Sequence, residues 1–232
     1  MLTSPLLTAV PGVAHGFSTR LGPRGADLDL GVGAGPADWA WVAERVGLPG
    51  APVALISQVH GDSVVRAYGG GAAGIADAVF TEEKGLLVAV RVADCVPILV
   101  AGDGVVGAIH AGWRGVAAGV IGQAVEAMGT GRALLAAVGP CISVDAYEVG
   151  EEVVQGILGQ GTPEEIFLRR DLGSKAHVDL GAAVVWQLQR AGVSQVHVGG
   201  WCTWLRQDLH SFRRDGAASG RSAAIIGQRG EL

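Results

Sequence analysis

The chain has 232 residues, a formal net charge of −5, and 17% charged against 49% hydrophobic residues. That length buries a substantial core in one large domain or two small ones, and the acidic balance argues against nucleic-acid binding, which needs a basic face. No stretch of 18 or more apolar residues is free of charge, so no membrane span is expected; MLTSPLLTAVPG, lacking a basic n-region and broken by Pro5 and Pro11, makes a poor signal peptide.

In chain order, the Gly-rich segment from Arg20 to Gly35 reads as the one long irregular loop. PADWAWVAERVG (Pro36 to Gly47) predicts a helix, with Pro near its start, Gly at its end and apolar residues at Trp39, Val42 and Val46. VALISQV, DAVFT, LLVAVRV, VVGAI and ALLAAVG predict buried strands bounded by Gly, Asp or Pro. Val116 to Met128, closed by Gly129, predicts a second helix. DLGAAVVWQLQRAG predicts a third, with Asp179 as N-cap and Gly192 just past its end. VHVGG and SAAIIG predict short closing strands. Strands and helices alternate without repeat or linker, so residues 1–232 read as one α/β (α+β) domain. Three cysteines, Cys95, Cys141 and Cys202, are an odd count that suits reduced thiols and a cytoplasmic location.

Three metal-capable residues share one local grammar. LISQVHG delivers His60 from an apolar run into a glycine, LLVAVRVADCVPILV delivers Cys95 beside Asp94 and Pro97, and GVVGAIHAGWRG delivers His110 ahead of Ala111 and Gly112. Each stands at the tip of a predicted strand, and together they can converge at one edge of a sheet. That would give zinc three protein ligands and an open fourth position, the pattern of a catalytic site. The ligands are 35 and 15 residues apart and match no compact signature, so a small core cysteine and two turn histidines are the alternative.

Around them, Arg114 lies between a glycine turn and a helix start, which predicts an anion site; a surface arginine covering Trp113 is the alternative. Arg213, Arg214 and Arg221 offer a second anionic clamp. Asp215 can pair with one of them, and Arg213 leans structural. Asp94 is placed to hold a histidine ring or move a proton, whereas Asp77 reads as a cap. Tyr147 and Glu148 in AYEVG can contact a ribose or a base, or simply enter a helix. Phe17, Ser18, Thr19 and Arg20 are expected at the pocket mouth. Cys141 and Cys202 read as small buried residues, with a redox or ligand role left open for Cys202. His15, His177, His197 and His210 read as structural or solvent-facing.

LISQVHGDSVV, ADAVFT, VADCVPIL, GAIHAGWRGV, GPCISVDAYEVG and SFRRDGAASGR resemble, in order, the motifs of the laccase-domain, or polyphenol oxidase, family, from about Gly16 to about Gly227. Members of that family are regarded as purine nucleoside phosphorylases. The resemblance implies a layered sandwich of mixed β-sheets flanked by helices, and a zinc enzyme whose ligands are His60, Cys95 and His110. It implies cleavage of adenosine- or inosine-type nucleosides by inorganic phosphate to base and ribose 1-phosphate, with adenosine deaminase and methylthioadenosine phosphorylase side activities. On this reading His60, Cys95, His110 and Asp94 are catalytic, and Trp113, Arg114, Tyr147, Glu148, Arg214 and Arg221 bind substrate. LHSFRR departs from the family pattern, with His210 where an aromatic residue is usual. Two rival classes remain. A copper-dependent polyphenol oxidase matches the two-His, one-Cys ligand types, although six histidines are too few for a further trinuclear cluster. A metal-free hydrolase would use Cys95 with His110 as base.

Overall fold

The computed structural model describes residues 1–230. Helix α1 (Pro5–Thr8), capped by the Ser4 side chain, leads into β1 (Val13–Phe17), and α2 (Pro36–Arg45) follows the Gly-rich loop. Seven strands then succeed one another: β2 (Val53–Ser57), β3 (Val64–Arg66), β4 (Gly71–Ile75), β5 (Ala78–Thr81), β6 (Leu87–Val92), β7 (Val96–Gly102) and β8 (Val105–Ala111). Next come α3 (Trp113–Ala118), α4 (Val120–Met128), β9 (Leu135–Val138), β10 (Glu148–Val149), α5 (Glu151–Leu158) and α6 (Glu164–Phe167). β11 (Leu168–Arg169), β12 (Ala176–Val178), α7 (Leu180–Arg190), β13 (Gln195–Val198), α8 (Phe212–Asp215) and β14 (Ser222–Gln228) complete the order.

Two mixed sheets stack face to face. One runs β1-β14-β6-β2-β4 and the other β13-β9-β7-β8-β5-β3, with a small sheet β10-β12-β11 beside them. The period-2 alternation of strands decides what fills each layer. Val88 and Val90 of β6 and Ala224 and Ile226 of β14 point between the sheets, where they meet Leu99, Ala101, Val106 and Ala108 of β7 and β8. Their sequence neighbours Leu87, Ala89, Ala223 and Ile225 face outward and bury against Trp39 and Val42 of α2 and Val46 just past its end. On the far side, Ile98, Val100, Val105 and Ile109 pack on α4 and α7 through Ile121, Val125, Val184 and Leu188. The result is the expected layered α+β sandwich. Strands buried on both faces read as unbroken apolar runs, which is why the central ones were predictable.

The helix expected over Val116 to Met128 is two helices. α3 starts at Trp113 and stops at Gly119, whose φ of +90° lies in the left-handed region, and α4 resumes at Val120. As expected, the Asp179 side chain accepts the Ala182 N–H at 2.8 Å to cap α7. No helix among the described residues is long and apolar enough to cross a membrane.

A candidate metal centre where two sheets meet

Asp77 immediately precedes β5, whose Ala78 lies opposite Ile109 of β8, so Asp77 and His110 are neighbours at one end of the six-stranded sheet. Cys95 immediately precedes β7, whose Pro97 lies opposite His110. The antiparallel pairing brings two strand starts and one strand end to the same edge. His60 arrives on the loop that leaves β2 of the five-stranded sheet and enters β3, which lies beside β5 in the six-stranded sheet. The three residues thus converge, as expected, at one end of the six-stranded sheet, a meeting at which the crossings from the other sheet arrive.

Asp77 holds this meeting together. Its fully buried carboxylate accepts the backbone N–H groups of Val59 (3.1 Å), His60 (2.9 Å) and Gly61 (2.7 Å), and its Oδ1 lies 2.7 Å from Nδ1 of His110. Burial opposes its charge, yet the His110 ring and the Gly61 and Val59 amides hold its carboxyl below the ordinary value. The three amides fix a loop in which His60 adopts φ +62°, a left-handed conformation that side chains rarely take. Asp94, beside Cys95, has φ +84°. Backbone strain of this kind persists only where surrounding contacts over-determine it.

The nitrogens of His60 and His110 and the sulfur of Cys95 offer donor atoms that all lie within 4.8 Å of one another. Cys95 Sγ is 3.9 Å from His60 Nε2, and the two imidazoles meet edge to face at 4.8 Å. Because Asp77 takes Nδ1 of His110, its Nε2 is the free donor. Burial opposes ionisation of Cys95, but the two histidines bring the thiol down to about 6. Burial likewise opposes charge on His110, while Asp77 and Cys95 raise it to about 9. Gly112 keeps the space open, since a Cβ there would lie 2.9 Å from His60 Cδ2 and 3.1 Å from Cys95 Sγ. The group can hold a metal ion. Two imidazole nitrogens and a thiolate suit zinc or copper, and tetrahedral zinc ligation, with donors roughly 3.3–3.8 Å apart, needs a contraction of about an ångström.

The triangle opens on a cavity of about 450 Å³, lined also by Arg91, Asp94, Tyr147, Phe212, Arg213 and Arg221. Several sequence expectations are redirected by this geometry. Asp94 lines the cavity, but its oxygens accept Thr203 Oγ1–H and the Arg213 N–H, both at 2.6 Å, so the carboxylate that holds a histidine ring is Asp77 and not Asp94. Arg114 lies outside the lining, exposed, with its guanidinium 4.4 Å over the Trp113 ring, and Trp113 itself packs into the core beside α5. Arg214 is also outside. Its guanidinium donates to Asp215 and to the carbonyls of Thr203, Trp204, Arg206 and Leu209, leaving Arg213 to face the cavity. Tyr147 lines the cavity, whereas the Glu148 side chain turns to Lys175.

Phe17 is buried, Ser18 and Thr19 are enclosed and Arg20 pairs with Asp27, so none of these four lines the cavity. Cys141 and Cys202 are half-buried and face each other across a β-bridge, less enclosed than expected. His15, His177 and His210 bond to backbone groups, as a structural role requires. Sequence reasoning passed over Arg91 and Phe212. A charge inside the otherwise apolar run LLVAVRV was the available signal for Arg91.

The sequence matches the model of a family described as multi-copper polyphenol oxidoreductase laccase over residues 33–229. A purine nucleoside phosphorylase of Deinococcus radiodurans is 36% identical, over 96% of this chain and 92% of that protein. One from Streptomyces griseus, named purine nucleoside phosphorylase ORF3, is 38% identical over 97% and 99%. Among solved structures, YlmD from Geobacillus stearothermophilus superposes with a TM-score of 0.85 at 31% identity, over 98% of this chain and 94% of that one.

Proposed function

The chain belongs to the multi-copper polyphenol oxidoreductase laccase family, and from its site we propose that it is a zinc-dependent purine nucleoside phosphorylase. The observation that carries this reading is the His60–Cys95–His110 triangle, preset by Asp77 and opening on a cavity in the size range of small-molecule sites. The relatives' names supply the reaction class. A metal held by the triangle would supply Lewis acidity toward an oxygen of phosphate or water.

The other steps belong to the chain's own side chains. An oxygen of phosphate forms a bond to the anomeric carbon as the bond from that carbon to the purine nitrogen breaks, and the proton that the hydrogen phosphate gives up ends on the leaving purine. Phe212 and Tyr147 give the cavity aromatic walls against which a planar base can stack. Burial, aided by the Cys95 charge, pushes the Tyr147 hydroxyl up to about 12, so it stays protonated and can donate a hydrogen bond. Adenosine deamination and methylthioadenosine cleavage are side activities we assign to the same cavity. The copper-oxidase reading is weaker on donor chemistry. Among the described residues, His60, Cys95 and His110 form the one group of three or more such ligands, so the four other histidines build no trinuclear cluster.

The test is incubation of metal-defined protein with adenosine, with and without phosphate, followed by product identification. Adenine and ribose 1-phosphate that form only with phosphate are expected. Turnover by the fully metal-free protein would overturn the metal role and favour the Cys95–His110 thiol reading.

A further inference from the structure

Three guanidinium groups line the cavity, and among the described residues none has a carboxylate within ion-pair distance, unlike Arg20, Arg169, Arg170, Arg206 and Arg214. Each is fixed through a single nitrogen. Arg91 donates to the Ile56 carbonyl (3.0 Å), Arg213 to the Glu148 carbonyl (3.0 Å), and Arg221 to the carbonyls of Ser219 (2.7 Å) and Gly220 (2.9 Å). Among the described residues, the remaining guanidinium N–H groups have no hydrogen-bond partner. Two of the three are further braced by aromatic rings, Arg213 over Tyr147 at 5.3 Å and Arg221 over Phe212 at 5.8 Å.

Sheet register explains why they gather. Arg91 on β6 lies opposite Ala223 on β14, so Arg221, two residues before Ala223, is its diagonal neighbour on the same face. Arg213 comes from α8, pinned there by its own N–H to Asp94. The only carboxylate in the lining is Asp94, whose oxygens are both engaged. Like charges gathered in one cavity without counter-charge repel, and a bound anion is what offsets them.

We infer that Arg91, Arg213 and Arg221 form an oxyanion site, and that it, rather than Arg114, receives the phosphate group of the reaction. This rests on the phosphorylase reading for the identity of the anion but not for the existence of the site. Two sources share the chemistry, inorganic phosphate and the phosphate ester of a sugar 1-phosphate product.

The test has a binding arm and a kinetic arm. Binding of inorganic phosphate, ribose 1-phosphate and sulfate to the metal-defined protein is measured by calorimetry, in wild type and in Arg213→Lys, Arg221→Gln, Arg91→Gln and Arg114→Ala. Loss of a charge-assisted contact is expected to weaken phosphate binding roughly tenfold or more in Arg221→Gln and Arg91→Gln, less in Arg213→Lys, and not in Arg114→Ala. A preference for ribose 1-phosphate over inorganic phosphate assigns the site to the ester. Where phosphorolysis is present, the KM for phosphate should rise with the same ranking. Binding unchanged in Arg91→Gln and Arg221→Gln, or lost in Arg114→Ala, overturns the assignment. Phosphate binding with this ranking but without phosphorolysis keeps the site and overturns the reaction.

Discussion

At the scale of single residues, Asp77 has the largest leverage on the site. Three backbone N–H groups and an imidazole converge on its two oxygens. Asp77→Asn leaves the volume unchanged but turns an NH2 toward those donors, so the His60 loop and the His110 ring lose their setting. Zinc affinity, measured by competition with a chelating dye, is expected to fall about 10–100-fold with little change in far-UV circular dichroism; unchanged affinity would show that the ligands set themselves. Cys95→Ala and His110→Ala are expected to lose metal outright, and full metal occupancy in Cys95→Ala would refute the ligand assignment. The convergence of His60, Cys95 and His110 was legible in the sequence, because an apolar run that ends in His or Cys before small residues marks a strand tip. Asp77 was not, since an acid before a strand looks the same whether it caps or organises a site. Nor was the division between Arg213 and Arg214, which depends on which way a four-residue helix turns each side chain.

At the scale of elements, the break between α3 and α4 is the clearest local feature. Gly119 sits at φ +90° as the end of one helix and the start of the next, and a Cβ there would also press on Gln160 Oε1 at 3.3 Å. Gly119→Ala is expected to cost about 1–2 kcal/mol, lowering Tm by roughly 2–4 °C per kcal/mol for a chain of this size. Metal content should not change, because α3 contributes no donor; a variant as stable as wild type would mean the bend relaxes without strain. The same glycine explains an error of reading, because an apolar period runs unbroken from Val116 to Met128 while the backbone does not. Central strands were legible for the opposite reason, since burial on both faces leaves no polar residue to interrupt them. The edge strand β4, GAAGI, is mostly exposed and, apart from Ile75, built of small residues, so it carries no pattern to read.

At the scale of the whole molecule, acid stability has an identifiable contributor. His15 is buried on β1, where its Nε2 accepts the Ser4 N–H at 2.9 Å, and burial, with His197 nearby, lowers it to about 4 from 6.5. A histidine held neutral in the fold contributes stability that is complete above about pH 6.5 and is lost as pH falls toward 4. The linkage is on the order of 3 kcal/mol. His15→Gln, which can still accept from Ser4, should show a flatter fall in urea-derived stability between pH 7 and pH 4.5 than wild type; parallel curves would remove His15 from the account. The two-sheet origin of the candidate site has a consequence of its own. The loops that carry His60 and Cys95 each leave a strand of one sheet, β2 and β6, and enter a strand of the other, β3 and β7, so the centre acts as a gauge of how the sheets sit on each other. A distant change such as Ala108→Leu, which wedges the sheets apart without touching a donor, should register first as leakage of the ion, well before the protein itself unfolds.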